Sequence, residues 1–262
     1  MRLSLVVTTY ERPDALAATL RTIAQQTERP DELIVADDGS GPSTREVIQQ
    51  HMHESGLAVV HVWQEHQGFR LTRLRNAAIA RATGDFIVFV DGDMLLHPAF
   101  VADHRRFARR GTFTQGMRIP LDEALTAKLI TARGTLPDSG TDRRRRWYGT
   151  HSPTRSRLLR KLANTFVSIK GCNQGFWRDD LIAVNGFNEA MIGWGPEDKE
   201  IAARLAHYGI RRHTLVFGGI AWHLHHPPAS REREAANIAI LNQTLARRLV
   251  RCEQGLDAHL KP

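Results

Sequence analysis

Short apolar runs alternate with amphipathic stretches through the first ninety residues of the chain. The runs are rich in Val, Ile and Leu and are bounded by Gly, Pro or Asp, which predicts buried strands. The stretches between them carry apolar residues three or four positions apart, as at Leu16, Leu20 and Ile23, which predicts helices packed by one face. The predicted strands are Leu3–Thr8, Glu32–Ala36, Leu57–Val62 and Asp85–Val90. The predicted helices are Pro13–Gln26, Ser43–His53 and Leu71–Ala82.

This order of elements predicts the fold class. Strands that alternate with helices are typical of an α/β protein with a doubly wound, Rossmann-like, mostly parallel sheet flanked by helices. The chain has 262 residues and contains no internal repeat, low-complexity tract or visible linker. We therefore expect one domain rather than two.

The second half of the chain is less regular. Gly134–Ser156 has no periodic apolar positions and predicts a loop or a disordered insertion. The last element predicted is a helix over Arg231–Arg251, whose inner face would carry Ile238, Leu241, Leu245 and Leu249. The other predicted elements are helices at Pro98–Arg109, Asp179–Val184 and Glu197–His207, and strands at Thr112–Met117 and Thr214–Phe217.

Two carboxylates separated by one glycine, Asp91-Gly92-Asp93, directly follow the apolar run Phe86–Val90. Ligands of open α/β sheets bind outside the carboxyl ends of the strands. Carboxylate oxygens suit Mg²⁺ or Mn²⁺, and these cations grip phosphate oxygens. The motif therefore predicts an enzyme that handles a nucleotide diphosphate.

Three further polar clusters lie at predicted strand ends or in loops, where functional residues concentrate. At the exit of the first strand, Thr8–Pro13 offers hydroxyl and backbone groups for a ribose or base, and Arg12 for a phosphate. At the exit of the second strand, a carboxylate of Asp37-Asp38-Gly39-Ser40 could accept from a uracil N–H or a ribose hydroxyl, although an ordinary Asp-Gly turn also explains this cluster. Arg75, near a helix start, could contact the nucleotide or remain solvated.

The loop Gly193–Asp198 contains a tryptophan between two glycines, followed by Glu197 and Asp198 at a helix start. Carboxylates at such a position commonly act as caps, because the helix dipole favours their charge. The preceding Gly-Trp-Gly makes capping an incomplete explanation, since an exposed tryptophan suits the face of a sugar ring.

The formal net charge of +8 is concentrated in Arg143–Lys161. Such a tract could contact nucleic acid, anionic lipid or an acidic glycan, or form a solvated loop. No helix-turn-helix, zinc-finger or RNA-binding signature accompanies it, so a non-enzymatic nucleic-acid-binding protein remains only an alternative. The two cysteines, Cys172 and Cys252, argue against a disulfide scaffold or thiolate zinc site and fit a reducing cytoplasm. No segment has the ~18–20 apolar residues needed to span a bilayer, and Met1–Val7 is expected to be a first strand rather than a signal peptide.

These clusters, taken in order, resemble family 2 glycosyltransferases of the GT-A fold. The resemblance covers residues 2–118 and 168–226. Its second part is similar to the carboxyl-terminal segment of β-1,4-galactosyltransferases and of bacterial chondroitin-polymerase-type enzymes. That part consists of Gly171–Gly175, Gly186–Glu189, Gly193–Asp198 and Arg204-Leu205. The resemblance implies a single GT-A domain with a nucleotide-sugar half at 1–118, a basic variable insertion at 119–166, an acceptor-binding and catalytic segment at 167–230 and a terminal helix at 231–251.

The resemblance also implies roles for individual residues. Asp91 and Asp93 would hold Mn²⁺ or Mg²⁺ together with His223, with His225 and His226 as alternatives. Asp198 would be the catalytic base. The acceptor would be oriented by Glu197 and would pack against Trp194 and Gly195. The residues implied in nucleotide-sugar binding are Thr8, Thr9, Tyr10, Arg12, Asp37, Asp38, Arg75, Asp91 and Gly92.

The implied reaction is an inverting, metal-dependent transfer from a UDP-sugar to a hydroxyl of a glycan or glycolipid acceptor, in synthesis of a bacterial surface polysaccharide or lipopolysaccharide. A cytoplasmic location follows, with peripheral contact with an anionic inner membrane left open and no nucleic-acid partner expected. The Arg143–Lys161 tract would cover the donor as a lid or meet an anionic acceptor. The enzymatic alternative is a nucleotidyltransferase, which usually has a glycine-rich loop after its first strand. Thr8–Pro13 lacks glycine, which argues against that alternative.

Overall fold

A computed structural model describes residues 1–132, 136, 147, 149–159, 161–163 and 169–260 of the chain. Its strands are β1 (Leu3–Thr9), β2 (Glu32–Asp37), β3 (Val59–Trp63), β4 (Phe86–Asp91), β5 (Met94–Leu96), β6 (Thr112–Gln115), β7 (Met117–Pro120), β8 (Lys161–Ala163), β9 (Asn173–Trp177), β10 (Arg211–Thr214) and β11 (Ile220–His223). Its α-helices are α1 (Pro13–Ala24), α2 (Pro42–Ser55), α3 (Leu71–Arg81), α4 (Phe100–Phe107), α5 (Glu123–Thr131), α6 (Pro153–Leu158), α7 (Arg178–Ala183), α8 (Glu197–His207) and α9 (Glu234–Ala246).

The main sheet has the strand order β3-β2-β1-β4-β9-β6-β10-β8. Neighbours among β3, β2, β1 and β4 pair in parallel, as do β6 and β10, whereas β9 is antiparallel to both β4 and β6. The sheet is therefore mostly parallel, and the predicted α/β fold class is confirmed.

Helices cover both faces of this sheet. Successive side chains of a strand point to opposite faces, so that one strand contributes to the apolar clusters on both sides. On β1, Val6 packs into one apolar cluster, which includes Leu74 and Ala78 of α3. Its neighbours Leu5 and Val7 pack into a second cluster. That cluster also holds the three α1 residues expected to share one face, namely Leu16, Leu20 and Ile23. All seven residues of β1 are buried, which explains why this strand lacks the alternation of apolar and polar residues that is typical of a half-exposed strand.

A second sheet of three strands, in the order β5-β11-β7, lies beyond the carboxyl end of β4. The antiparallel pairing of β11 with β5 sets His223 opposite Met94. The backbone N–H of Leu224 donates to the Asp93 carbonyl over 2.9 Å. This pairing brings a segment 130 residues further along the chain next to the acidic motif.

Two predicted strands differ from the structure. The segment predicted as one strand over Thr112–Met117 is divided at Gly116 into β6 of the main sheet and β7 of the small sheet. The strand predicted over Thr214–Phe217 is wrong, because β10 ends at Thr214 and Phe217 has a positive φ of 61°. The apolar residues that suggested a strand there are buried in irregular backbone.

Strand β9 was not predicted, because its sequence begins Asn-Gln-Gly rather than with apolar residues. Asn173 is nevertheless fully buried. Its amide donates to the carbonyls of Met117 over 3.0 Å and Gly219 over 2.8 Å, and its Oδ1 lies 2.9 Å from His104 Nε2. Burial of a polar group is tolerated when the group is hydrogen-bonded. This central strand can therefore begin with polar residues, and it lacks the apolar run from which a buried strand is predicted.

The terminal helix is shorter than predicted and has a different inner face. It spans Glu234–Ala246 rather than Arg231–Arg251. Its buried residues are Asn237 and Thr244, whereas Ile238, predicted to face inward, is 41% exposed.

In the basic insertion, Arg143–Arg146 and Arg160 lie outside the described residues. The proposals attached to the Arg143–Lys161 tract depend on these arginines and therefore also lie outside the described part of the chain. Within the predicted loop Gly134–Ser156, helix α6 begins at Pro153, so that part of the prediction is wrong. Among the described residues, no helix combines the length and the apolar composition needed to cross a bilayer.

A buried ion pair fixes helix α8, the helix that begins with Glu197 and Asp198. Arg204 and Glu200 are both almost completely buried, and the guanidinium contacts the carboxylate at 2.7 Å. Arg204 also donates to the carbonyls of Val184 and Gly186. The pair therefore ties α8 to the loop that follows α7.

We expect Arg204→Ala to lower the free energy of unfolding by about 3–5 kcal/mol, because it leaves the Glu200 carboxylate buried without its partner. Chemical denaturation of the two proteins measures this difference. Arg110→Ala serves as the control, since Arg110 forms an exposed ion pair with Asp179 and its loss should change stability by less than about 1 kcal/mol. Equal losses in the two variants would contradict the assigned role of Arg204.

Candidate active site

The first functional side chains meet because the carboxyl ends of parallel strands end at one edge of the sheet. The pairing of β1 with β4 sets Thr8 opposite Asp91, and its pairing with β2 sets Thr9 opposite Asp37. Thr8 Oγ1 donates to Asp91 Oδ1 over 3.0 Å. Gly92 is required at its position, because a Cβ there would lie 2.9 Å from the Thr8 carbonyl oxygen.

A cavity of about 230 Å³ opens at this edge. It is lined by most of the residues predicted to bind the nucleotide sugar. The described residues lining it are Thr8, Thr9, Tyr10, Arg12, Asp38, Phe69, Leu71, Leu74, Asp91, Gly92, Asp93, His226 and Ala229. The cavity therefore combines carboxylates and an arginine with aromatic and aliphatic walls.

The two aspartates of the second cluster differ in their surroundings. Asp37 accepts from the Ser40 N–H over 2.9 Å and lies 3.1 Å from His61 Nε2. Burial raises the pKa of the Asp37 carboxyl, but these hydrogen bonds outweigh burial and hold it below its ordinary value. Asp37 is not among the lining residues of this cavity, so its contacts indicate a structural role.

Asp38, in contrast, lines the cavity and has an acceptor to offer. Its Oδ1 accepts from the Gln64 amide, while its buried Oδ2 has no hydrogen-bond donor among the described residues. His66 lies 3.3 Å from that oxygen but bonds the Asp38 carbonyl instead, and its ring stacks on Tyr10 at 4.2 Å. An unpaired acceptor thus stands beside an aromatic ring.

Asp93 and two histidines form a group of side chains with the ligand types that bind a cation. One ligand atom each of Asp93, His223 and His226 lies within 4.8 Å of the others. His223 Nε2 is 3.6 Å from Asp93 Oδ1 and His226 Nε2 is 3.5 Å from Asp93 Oδ2. His225, the third histidine considered from the sequence, is not part of this group. The structure therefore brings two of the three histidines to Asp93.

The chemistry of this group fits a divalent cation. Asp93 Oδ1 is buried and has no hydrogen-bond partner among the described residues, which leaves an acceptor free. Burial, followed by the nearby charge of Asp91, raises the pKa of the Asp93 carboxyl to about 6. Burial and the Arg118 guanidinium lower the pKa of His223 to about 3. His223 is therefore neutral at pH 7, the form in which imidazole binds a metal.

A second cavity of about 670 Å³ adjoins the first and shares Asp91 with it. Glu197 and Asp198, at the start of α8, line this cavity together with Trp194 and Gly195. Both halves of the predicted site therefore face one continuous cleft.

Arg75 connects the two halves beneath the cleft. It is 1% exposed, and its guanidinium lies 3.5 Å from both Asp91 Oδ1 and Glu197 Oε1. It also donates to the Gly171 carbonyl over 3.3 Å and lies 5.1 Å from the centre of the Phe187 ring. These contacts indicate that Arg75 positions carboxylates from both halves of the site.

The two acids of α8 are stronger bases than free carboxylates. Burial, then the Asp198 charge, raises the pKa of Glu197 to about 7, against the opposing effect of Arg75. Burial also raises the pKa of Asp198, although N–H groups and Arg75 oppose it. The Asp198 carboxylate is held by the N–H of Gly171 at 3.0 Å and that of Lys199 at 2.7 Å. Asp198 is thus a fixed carboxylate with raised proton affinity.

Helix α9 holds the tryptophan loop in place. The Asn237 amide donates to the carbonyls of Ile192 and Trp194, each over 3.0 Å. A Cβ on Gly195 would lie 2.5 Å from the Asn237 amide nitrogen, so glycine permits this close contact. The Arg231 guanidinium lies 4.6 Å from the centre of the Trp194 ring.

Three supporting residues were not found from the sequence. Gln64 contacts Asp38. Arg118 lies 3.2 Å from both ring nitrogens of His223. The third residue is Asn237, which bonds the tryptophan loop. The only available signal concerns Asn237, since Asn237 and Thr244 lie two helical turns apart in a helix that is mostly apolar. Polar residues at that spacing share one face.

Two known protein families match this chain. The family described as glycosyl transferase family 2 matches residues 4–179. The family described as N-terminal domain of galactosyltransferase matches residues 160–227. The two matches overlap over residues 160–179; the first contains Asp38 and Asp91, and the second contains Asp198.

Curated relatives match most of the chain. Validoxylamine A glucosyltransferase from Streptomyces hygroscopicus subsp. limoneus is 29% identical over an alignment of 226 residues, which covers 79% of this chain and 48% of the relative. Hyaluronan synthase from Pasteurella multocida is 28% identical over an alignment of 270 residues, which covers 93% of this chain and 26% of the relative. The chain spans about a quarter to a half of the length of these relatives.

Solved structures share the fold at lower identity. TarS from S. aureus, in complex with UDP-GlcNAc, is 16% identical and aligns with a TM-score of 0.66 over 99% of this chain and 69% of its own. The mannosyltransferase PcManGT from Pyrobaculum calidifontis, in complex with GDP-Man and Mn²⁺, is 18% identical and aligns with a TM-score of 0.64 over 94% of this chain and 64% of its own. Since the family match covers more than half of the residues, the chain belongs to glycosyl transferase family 2, and it has the GT-A fold.

Proposed function

We propose that this glycosyltransferase moves a sugar from a UDP-sugar to a hydroxyl of a glycan or glycolipid acceptor, with inversion at the anomeric carbon and with a divalent cation. The observation that carries the proposal is the position of Arg75. One buried guanidinium lies 3.5 Å from a carboxylate of each half of the cleft. A donor bound near Asp91 and an acceptor bound near Asp198 would therefore meet.

The first cavity suits a uridine nucleotide. The Asp38 carboxylate, which lines this cavity, would accept a base N–H, and the Tyr10 ring, which is 42% exposed, offers a stacking surface. Both features support a base whose edge carries an N–H donor. The complex of TarS with UDP-GlcNAc is a precedent for such a donor in this fold.

Asp93, His223 and His226 are the residues that would hold Mn²⁺ or Mg²⁺, whereas Asp91, also expected as a ligand, is not part of this group. A bound cation would stabilise the negative charge that builds on the departing diphosphate. Support comes from the free acceptor on Asp93 and from the Mn²⁺ complex of PcManGT. Arg12, which contacts Asp93 at 3.0 Å, adds positive charge at the same place.

Asp198 is proposed as the general base. The acceptor oxygen attacks the anomeric carbon from the face opposite the diphosphate, and the bond to the diphosphate oxygen breaks with its electron pair on that oxygen. Asp198 takes the hydroxyl proton. Its raised pKa suits this role, because a base works best when its proton affinity approaches the operating pH. Glu197 and Trp194 would orient the acceptor from the same cavity.

The proposed cellular role is the synthesis of a bacterial surface polysaccharide or lipopolysaccharide. The relative named hyaluronan synthase supports a polysaccharide product. A cytoplasmic location and peripheral contact with an anionic inner membrane belong to the same proposal, and so does the division into segments 1–118, 119–166, 167–230 and 231–251.

A screen of nucleotide sugars tests this proposal. We expect the protein with Mn²⁺ to release UDP from at least one UDP-sugar, and to release it faster when a matching acceptor is present. Addition of EDTA should abolish the release. Failure to release UDP from any UDP-sugar would overturn the proposal. Release of pyrophosphate from a sugar phosphate and a nucleoside triphosphate would also overturn it, and would identify the protein as a nucleotidyltransferase.

A further inference from the structure

The terminal helix α9 has an unusual distribution of side chains. Its residues are mostly apolar, yet its two buried residues, Asn237 and Thr244, are polar. Asn237 bonds the tryptophan loop, and Thr244 Oγ1 donates to Glu200 over 2.9 Å. Within the described residues, the three buried apolar clusters contain no side chain from this helix. Polar contacts therefore dock the helix, and its apolar residues remain available.

Some of these apolar residues form a stripe on one side of the helix. Ile238, Leu241 and Leu245 are spaced by three and four positions, so they share a face. The stripe is about 10 Å long at a rise of ~1.5 Å per residue. Ile238 is 41% exposed, and Leu241 and Leu245 are partly exposed.

The stripe enters the catalytic cleft. Ile238 and Leu241 line the same cavity as Asp198, Glu197 and Trp194. An apolar wall of two residues thus shares the cavity with the proposed base, and Leu245, which does not line the cavity, continues this wall along the helix. When a sugar hydroxyl is bound at Asp198, a substituent on the same sugar could extend along this apolar wall.

On this basis, and on the proposed function, we propose that Ile238 and Leu241 bind the alkyl chain of a glycolipid acceptor. The elongated shape of the stripe fits a chain, which can follow a helix face, better than a second sugar ring. The cavity is lined by charged residues, Asp198 and Arg231 among them, as well as by apolar ones. This mixed lining favours an occupant with both characters, a polar sugar at Asp198 and a hydrocarbon at the apolar stripe. Removing that hydrocarbon from water is the source of affinity.

The test compares the binding of n-octyl and methyl glycosides, each as the β-D-glucoside and the β-D-galactoside. Binding is measured by titration calorimetry below the micelle concentration, with the full chain, UDP and Mn²⁺. Contact of a few methylenes with two side chains should make the octyl glycoside bind about 10- to 100-fold more tightly than its methyl counterpart. Equal affinities, or no binding of either octyl glycoside, would overturn the proposal.

Variants locate the effect. Ile238→Ser and Leu241→Ser should each reduce the ratio of octyl to methyl affinity towards one, whereas Ile238→Leu should keep it. Ile240→Ser is the matched control, because Ile240 is on the same helix but not among the residues lining the cavity. The proposal fails if Ile240→Ser lowers the ratio of octyl to methyl affinity by the same factor. It also fails if Ile238→Ser converts a dimer to a monomer and leaves that ratio unchanged. UDP release without acceptor is measured separately and reports on the proposed function. Loss of the alkyl preference can therefore be distinguished from failure of the proposed function.

Discussion

Asp198→Asn is expected to lower the turnover number for sugar transfer by about 10²- to 10⁴-fold, the usual contribution of a positioned general base. An amide cannot take the acceptor proton at neutral pH. It can still accept the N–H of Gly171, which the carboxylate accepts at 3.0 Å, so the loop should keep its position. The turnover number is measured at saturating donor and acceptor, and the dissociation constant of the UDP-sugar by calorimetry.

The donor affinity of this variant should stay close to that of the unmodified enzyme, because Asp198 lies in the second cavity rather than the one lined by Asp38 and Tyr10. Asp179→Asn is a suitable control, since that carboxylate is exposed on helix α7 and its side chain pairs with Arg110. The control should have normal turnover. Near-normal turnover in Asp198→Asn would exclude Asp198 as the base.

The sequence could predict the sheet in the first half of the chain because its signals are local. Each of β1, β2 and β4 is an apolar run, and a polar cluster directly follows it. The rule that ligands bind at the carboxyl ends of strands then places Thr8, Asp38 and Asp91 together. The structure puts these three residues around one cavity.

Features that depend on pairing between distant segments could not be predicted in this way. His223 reaches Asp93 because β11 pairs with β5, and the choice between His225 and His226 depends on how the chain turns after that strand. Hydrophobic periodicity carries no information about either. The same limit applies to β9, where hydrogen bonds from Asn173 replace apolar burial.

The terminal helix shows how a correct pattern can receive the wrong interpretation. The periodic residues Ile238 and Leu241 do share a face, as predicted. Apolar periodicity indicates which residues lie together, but not whether they face the core or a cleft. The docking of this helix depends on Asn237 and Thr244, which resemble surface residues in a sequence.

Asp93→Ala is expected to weaken Mn²⁺ binding by about 10²-fold or more, since loss even of a residue that only supports a metal ligand typically costs 10- to 100-fold. Asp93 contributes the only carboxylate to the group formed with His223 and His226 among the described residues. UDP should consequently bind this variant with the same affinity with and without Mn²⁺. Calorimetric titration of UDP at several Mn²⁺ concentrations measures both effects.

The histidines provide matched variants for the same experiment. His223→Ala and His226→Ala should each weaken Mn²⁺ binding, because their ring nitrogens lie 3.6 and 3.5 Å from the Asp93 carboxylate. His225→Ala should not, because the structure leaves its side chain outside the group. A variant of Asp93 whose UDP affinity still rises with Mn²⁺ would contradict the assigned cation site. A strong effect of His225→Ala alone would instead mean that the segment after β11 binds the cation in a different arrangement.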